Sequence, residues 1–263
     1  MDLGLANRIA LVTGASQGLG FAIARELAAE GASVAIVART AERLERAAAE
    51  IMAHSCTRVL PIAGDVAAEG EVERIARAVE EALGPVDILV ANAGGPPSTM
   101  FAQTRPEQYR AAIETNLLAS IRMAHACVPG MRERKWGRVI FLTSMAAKQP
   151  MQGLLLSNTA RAGLLGFAKS LATEVARDGV LVNTVLPGHF DTARALELNE
   201  ARAKREGKSM EEVQAMRVAG IPLGRSGDPR ELAAVVAFLA SERASFLTGT
   251  AVQVDGGQIA GLL

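Results

Sequence analysis

Short apolar runs rich in β-branched residues alternate along the chain with stretches whose apolar residues recur at helical spacing. The runs are Ile9–Thr13, Val34–Ala38, Val59–Ile62, Ile88–Ala91, Val139–Leu142, Val180–Leu186 and Ala251–Val254. Each is nearly continuous in hydrophobicity, which predicts strands covered on both faces. The segments between them carry the helical period, as in Leu19, Ala22, Ile23 and Leu27, with Gly31 placed to end that helix. Alternation this regular predicts an α/β fold, a doubly wound parallel sheet with helices on both faces. No charge block, low-complexity tract or linker divides residues 1–263, so a single domain is expected. Residues 189–222 break the rhythm. Mixed in charge, rich in Ala and helical in propensity, they read as a helical lid over the carboxyl edge of the sheet.

The first run passes through Thr13-Gly14-Ala15-Ser16-Gln17-Gly18-Leu19-Gly20 directly into a helix. Glycines there permit a tight turn and let the backbone approach a pyrophosphate seated on the helix N-terminus, so a dinucleotide site is expected. An NAD site would put Asp or Glu near the end of the second strand, to bond the ribose hydroxyls. This chain has Ala38, then Arg39 and Thr40. An arginine pairs with a 2′-phosphate, which favours NADP over NAD.

Composition narrows the rest. With 263 residues, 49% of them hydrophobic and 21% charged, the chain can build a substantial core and is not disordered. Its 28 basic residues balance 28 acidic ones, which argues against nucleic-acid or membrane-surface partners. Two cysteines, Cys56 and Cys127, make no disulfide framework, and no CxxC or Cys/His cluster suggests a metal site. No apolar run approaches a membrane span and no secretory leader is visible, so a cytoplasmic protein is expected.

Taken as a set, several motifs resemble those of the short-chain dehydrogenase/reductase family over essentially the full length of the chain. They are the glycine loop, Asp65-Val66, Asn92-Ala93-Gly94, Asn116, Ser144, Pro187-Gly188, Arg225-Ser226-Gly227-Asp228-Pro229 and Val254-Asp255-Gly256-Gly257. Within that family the chain looks like the 3-oxoacyl-[acyl-carrier-protein] reductases and their relatives. The resemblance implies a Rossmann-like fold and an NADP-dependent oxidoreductase that reduces a carbonyl, such as a 3-oxoacyl thioester, to a secondary alcohol. It implies that Gly14, Ser16, Gln17, Gly18, Leu19, Gly20, Arg39 and Thr40 hold the cofactor. Asp65 and Val66 would flank the adenine, Asn92, Ala93 and Gly94 would line the cleft, and Pro187 and Gly188 would pass the nicotinamide. A homo-oligomer, dimer or tetramer, is implied as well.

One departure is informative. The family's reaction uses a tyrosine and, four residues later, a lysine, on the helix after Ser144. Aligned on Ala162–Ala168, this chain offers Ser157 and Arg161 at those positions, and its single tyrosine, Tyr109, lies on an earlier helix. A serine hydroxyl is a far weaker acid than a phenol, and an arginine does not shuttle protons. The expected catalytic set is therefore Asn116, Ser144, Ser157 and Arg161. Asn116 and Ser144 would position the oxygen or a water, Ser157 would relay the proton through a water, and Arg161 would grip the nicotinamide ribose. His189, just after Pro187-Gly188, is a second candidate donor, since an ordinary histidine titrates near neutrality. His54 and His125 read as structural. The alternative is a catalytically impaired NADP-binding module that holds a ligand or partner.

Weaker signals remain. Met145, Met151, Leu154, Leu155 and Leu156 follow Ser144 and read either as an apolar substrate pocket or as ordinary packing. Arg132, Arg134, Lys135 and Arg138 cluster where a helix meets a strand, and would either meet an acidic carrier protein or complement the helix dipole. The helix over 157–176 is apolar on more than one face, consistent with burial against another subunit.

Overall fold

Seven parallel strands form one sheet in the computed structural model, which describes residues 2–262. In chain order they are β1 (Ile9–Thr13), β2 (Ser33–Ala38), β3 (Val59–Ala63), β4 (Ile88–Ala91), β5 (Gly137–Leu142), β6 (Val180–Pro187) and β7 (Ala251–Val254). The spatial order is β3-β2-β1-β4-β5-β6-β7. The helices are α1 (Gly18–Ala29), α2 (Ala41–Ala53), α3 (Glu71–Ala82), α4 (Pro106–Ile113), α5 (Ala119–Glu133), α6 (Leu155–Val175), α7 (Ala193–Glu206), α8 (Met210–Ala219) and α9 (Pro229–Ala240).

The predicted strands lie within two residues of the observed ones. One expectation fails at the edges. Only β1, β2, β4, β5 and β6 are covered almost throughout, whereas β3 and β7 flank the sheet and are partly exposed. Apolar alternation continues to an edge that still packs one face, and Pro61 in β3 marks a strand with one unpaired side.

Two apolar layers sandwich the sheet. On one face Ile23 and Leu27 of α1, Leu44 and Ile51 of α2 and Leu232 and Val236 of α9 pack over Val12, Ile36 and Ile140. On the other, Val72, Ile75 and Val79 of α3, Met123 and Met131 of α5 and Leu164 of α6 pack over Leu11, Leu89 and Phe141. Burying each such side chain contributes about 2 kcal/mol, and this fixes the carboxyl ends of the strands as one rigid edge. No helix among the described residues is long and apolar enough to cross a membrane. Residues 189–222, expected to form a lid, hold α7 and α8.

Candidate active site

The chain leaves β1 toward β2 on one side and leaves β4 toward β5 on the other, so the crevice of a doubly wound sheet opens between β1 and β4. Two adjoining cavities of about 300 and 470 Å³ occupy that edge, and Gly14, Gln17, Asn92, Ala93 and Gly94 line both. The smaller reaches Ser144, Ser157, Arg161, Pro187, Gly188 and His189. Gly18 and Leu19 also line it. The larger reaches Ser16, Arg39, Thr40, Asp65, Val66 and Asn116. Gly20 lines neither and lies beneath the loop, where a Cβ would fall 2.4 Å from the Gly14 carbonyl oxygen. Gly14 itself has φ +61°.

Asn92 ties this loop to β4. Its Nδ2 donates to the carbonyls of Thr13 and Gly14, both at 3.2 Å, its backbone N–H donates to Thr13 Oγ1 at 2.9 Å, and Thr13 Oγ1 donates to the Asn92 carbonyl at 2.7 Å. The asparagine therefore shapes the cradle as well as lining the cleft, and Thr13 is a site residue that sequence reading passed over. Asp65 accepts from the Ala67 N–H at 3.0 Å in a local turn on the wall of the larger cavity. At the far end Arg39 and Arg43 both line that cavity and are exposed. Arg43, in the first turn of α2, donates to Thr40 Oγ1 at 2.9 Å. Its spacing of four from Arg39 was the available signal. These residues fit a dinucleotide: a glycine cradle that a side chain would fill, and two guanidinium groups at the ribose end for an added phosphate.

At the other end, Ser157 and Arg161 lie four residues apart and so on one face of α6. Both are buried against the smaller cavity. Arg161 Nη1 donates to the carbonyls of Leu142 (3.1 Å) and Thr143, and Nη2 donates to the Ala93 carbonyl at 3.2 Å. The guanidinium thus clamps the chain after β4 to the end of β5, rather than standing free to grip a ribose. Burial, with Arg194 nearby, pushes its pKa down to about 10, so it remains a cation at neutral pH. Ser144 Oγ accepts from the Ala146 N–H at 3.1 Å, which fixes the oxygen and leaves its O–H to donate elsewhere.

Asn116 lines the larger cavity, whereas Ser144, Ser157 and Arg161 share the smaller one. It sits in a π-type turn, Glu114–Leu118, where the α-helical phase slips between α4 and α5. Its Nδ2 reaches the Ala112 carbonyl at 3.3 Å, and its buried Oδ1 has no hydrogen-bond partner among the described residues.

Three further readings can be placed in the structure. His189 lines the smaller cavity, but burial, then Arg217 and Arg202, lower its pKa to about 4, so it is a neutral imidazole at pH 7 and not a ready acid. The unfolded chain binds the proton that the folded chain refuses between pH 6.5 and about 4. Stability from this group is therefore complete above pH 6.5 and falls by roughly 3 kcal/mol on descending to pH 4. Thermal melts across that window should show less acid sensitivity in His189→Gln than in the unchanged chain.

For the basic cluster, the structure fits the second of its two readings, at the C-terminal end of α5. Arg132 and Lys135 both pair with Asp178 at 2.7 Å, Arg134 donates to the Val86 carbonyl at 2.6 Å, and Arg138 is buried. These residues also sit where α5 ends and β5 begins, on the edge of the sheet opposite the cleft, so they do not form a carrier dock beside it. Third, of the apolar residues after Ser144, Leu154 and Leu156 reach the cavities, while Met145 is core. His54 accepts a local role, its Nδ1 2.9 Å from the Glu50 carbonyl, and His125 is exposed on α5.

Sequence reading also missed α7 as a source of site residues. Thr192, Arg194 and Leu198 line the smaller cavity, and Thr192 Oγ1 caps α7 by accepting from the Ala195 N–H at 3.2 Å. Arg217 of α8 lines it too. The loop before α7 is anchored from outside: the Gly227 N–H donates to the His189 carbonyl at 2.9 Å and the Asp191 N–H to the Gly227 carbonyl at 3.1 Å.

Comparison with known proteins agrees with this geometry. A family model described as enoyl-(acyl carrier protein) reductase matches residues 14–258. An acetoacetyl-CoA reductase of Shinella zoogloeoides is 40% identical over 253 residues, covering 96% of this chain and 98% of that protein. The chain belongs to the short-chain dehydrogenase/reductase family. Among other members, a 3-oxoacyl-[acyl-carrier-protein] reductase of Vibrio cholerae is 37% identical over 255 residues, covering 97% of this chain and 98% of that one. The L-sorbose reductase of Gluconobacter frateurii, solved in complex with NADPH and L-sorbose, superposes with a TM-score of 0.94 at 36% identity, and each chain is covered completely. Membership in this family of oxidoreductases explains the strand order, the glycine cradle and the cleft at the β1/β4 switch as one inherited arrangement.

Proposed function

We propose that this short-chain dehydrogenase/reductase uses NADPH to reduce the carbonyl of a small ketone to a secondary alcohol. The observation that carries the reading is the sharing of one cavity by Ser144, Ser157 and Arg161, joined through the glycine cradle to the Arg39 and Arg43 end. Bound there, NADPH supplies a hydride to the carbonyl carbon, and the chain must supply charge and a proton at the oxygen. Ser144 donates its free O–H to that oxygen. Arg161, held rigidly by backbone carbonyls, offsets the negative charge developing there without reorganising. Ser157 passes a proton inward from a water as it receives one, so its own weak acidity is never the source. Asn116, with an unsatisfied oxygen in the adjoining cavity, orders water on that route. Two relatives bear names of enzymes acting on 3-oxoacyl thioesters, which makes those compounds the first to assay.

The test is NADPH oxidation against 3-oxoacyl thioesters and simple ketones. Ser144→Ala is expected to lower kcat/KM about 100-fold with NADPH affinity retained. Arg39→Ala with Arg43→Ala is expected to weaken NADPH about 30-fold and to leave NADH within a few-fold, read by titrating each cofactor. A second reading, an NADP-holding module with little turnover, draws support from the commitment of the Arg161 guanidinium to backbone carbonyls. Tight NADPH binding with no turnover across the panel would select it.

In the reductase reading α7 and α8 act as a lid whose Thr192 and Arg194 close the reactive end. A homo-oligomer, dimer or tetramer, goes with it. Phe246, fully exposed, and the partly exposed Phe238 and Leu247 are apolar surface that a second copy would cover. A cytoplasmic site of action completes this reading.

A further inference from the structure

The larger cavity has two facing walls. One is the turn after β3, where Asp65 and Val66 line it. The other is the end of α4 with the π-type turn, where Ala112, Thr115 and Asn116 line it. Hydrogen bonds inside the first wall stay local: Asp65 Oδ1 accepts from the Ala67 N–H at 3.0 Å, and the Asp65 carbonyl accepts from the Ala68 N–H at 2.9 Å. Val66 packs its side chain on the apolar layer below. Among the described residues, the hydrogen bonds that tie this turn to the opposite side all come from Arg122 of α5. Its Nη2 donates to the carbonyls of Val66 at 3.2 Å and Ala67 at 3.4 Å, and it pairs with Glu114 Oε1 at 2.6 Å. Glu114 opens the π-type turn that carries Asn116, so one guanidinium spans both walls.

The span depends on that turn. Glu114 and Arg122 are eight residues apart, which on a regular helix would set them about 80° apart around the axis. A π-type turn takes up one extra residue, so the pair faces as positions seven apart do, within about 20°. The turn that puts Asn116 in the cavity thus also aims Glu114 at Arg122. Stability is not what the pair chiefly supplies. Its side chains are 32% and 38% exposed, so water screens the charges, and the buried Nε of Arg122 has no partner among the described residues. What the pair fixes is a distance.

We propose that Arg122, oriented by Glu114, is a positioning residue for the cofactor, which holds the Asp65-Val66 turn at the separation from the π-type turn that the adenine requires. This rests on the reading of the larger cavity as the adenosine end of the NADPH site. Arg122 is not among the residues that line either cavity, so it acts through the carbonyls of Val66 and Ala67.

The experiment is calorimetric titration of the full-length protein with NADPH and with adenosine 2′,5′-bisphosphate, which is the adenosine half of that cofactor. Arg122→Met is expected to weaken both about tenfold, with the melting temperature of the free protein lowered by no more than a few degrees. Arg122→Lys should recover part of the affinity, since an ammonium reaches one wall but cannot fork across both. The decisive readout is a cycle with Val66→Ala. Because the arginine acts through the place of Val66, Arg122→Met should cost about threefold or less once Val66 is truncated. If Arg122→Met does not fold, Glu114→Gln, expected to weaken both ligands about threefold, takes its place in every arm, and its cost should all but vanish in the truncated background. A cost that is the same in both backgrounds would mean general loosening, and overturns the proposal. Unchanged affinity in the variant overturns it too, and leaves the adenosine reading standing because the unchanged protein still takes the bisphosphate. If the unchanged protein does not bind the bisphosphate, the reading of the cavity fails and the proposal fails with it.

Discussion

Gly20→Ala is expected to weaken NADPH binding at least about 100-fold and to lower the melting temperature by several degrees. The new Cβ would lie 2.4 Å from the Gly14 carbonyl oxygen, 2.7 Å from Asn92 Nδ2 and 2.9 Å from the Gly14 carbonyl carbon. Neither neighbour can retreat cheaply. Gly14 is held at φ +61°, where only glycine is comfortable, and its carbonyl accepts from that same Asn92 amide. The loop must move as a piece, which takes its N–H groups out of line with the pyrophosphate they would cradle. Overpacking of this kind costs about 1–3 kcal/mol in stability, roughly 2–10 °C in a chain of this size. Gly166→Ala is the matched control, since it lies in α6 with nothing within 4 Å of an added Cβ, and it should bind NADPH unchanged. Titration of NADPH into the three proteins decides the matter. Unimpaired binding by Gly20→Ala would mean that the phosphates lie elsewhere.

The central strands and the glycine loop were legible in sequence because their signals are local. A strand buried on both faces must be apolar throughout, and a helix entered straight from a strand shows its glycines at fixed offsets. Ser157 and Arg161 were legible only through the family resemblance, which placed them four residues apart on one helix, and they do lie on one face of α6. What could not be read depends on distant backbone. The partners of Arg161 are carbonyls of Ala93, Leu142 and Thr143, which no side-chain pattern announces. That Asn116 faces the larger cavity could not be read, because a π-type turn shifts helical phase without any residue that signals it. Arg194 and Arg217 looked like solvated charges in a mixed-charge segment until α7 and α8 folded over the edge of the sheet. His189 had the right identity for an acid and the wrong surroundings, since burial among cations sets its pKa.

Arg161→Met should abolish turnover, by about 1,000-fold, and destabilise the fold, because one guanidinium performs two tasks. The first is structural. Its hydrogen bonds to Ala93, Leu142 and Thr143 join the chain leaving β4 to the end of β5, where the two cavities meet. Hydrogen bonds from a charged donor contribute about 1.5–3 kcal/mol each, but removing the arginine also relieves its desolvation, and water can enter from the cavity to solvate the carbonyls. A net loss of about 2–4 kcal/mol follows, read as a drop of roughly 5–15 °C in melting temperature. The second task is electrostatic. A fixed cation beside a developing alkoxide stabilises it without reorganising, and losing one such group costs about 100- to 1,000-fold in kcat. Arg161→Lys separates the two. An ammonium keeps the charge but presents its donors from one point, so it cannot reach carbonyls from two strand ends at once. It should keep more activity than Arg161→Met while melting nearly as low. The opposite pattern, full stability with activity lost, would show that the carbonyl clamp carries little energy and that Arg161 serves the chemistry alone.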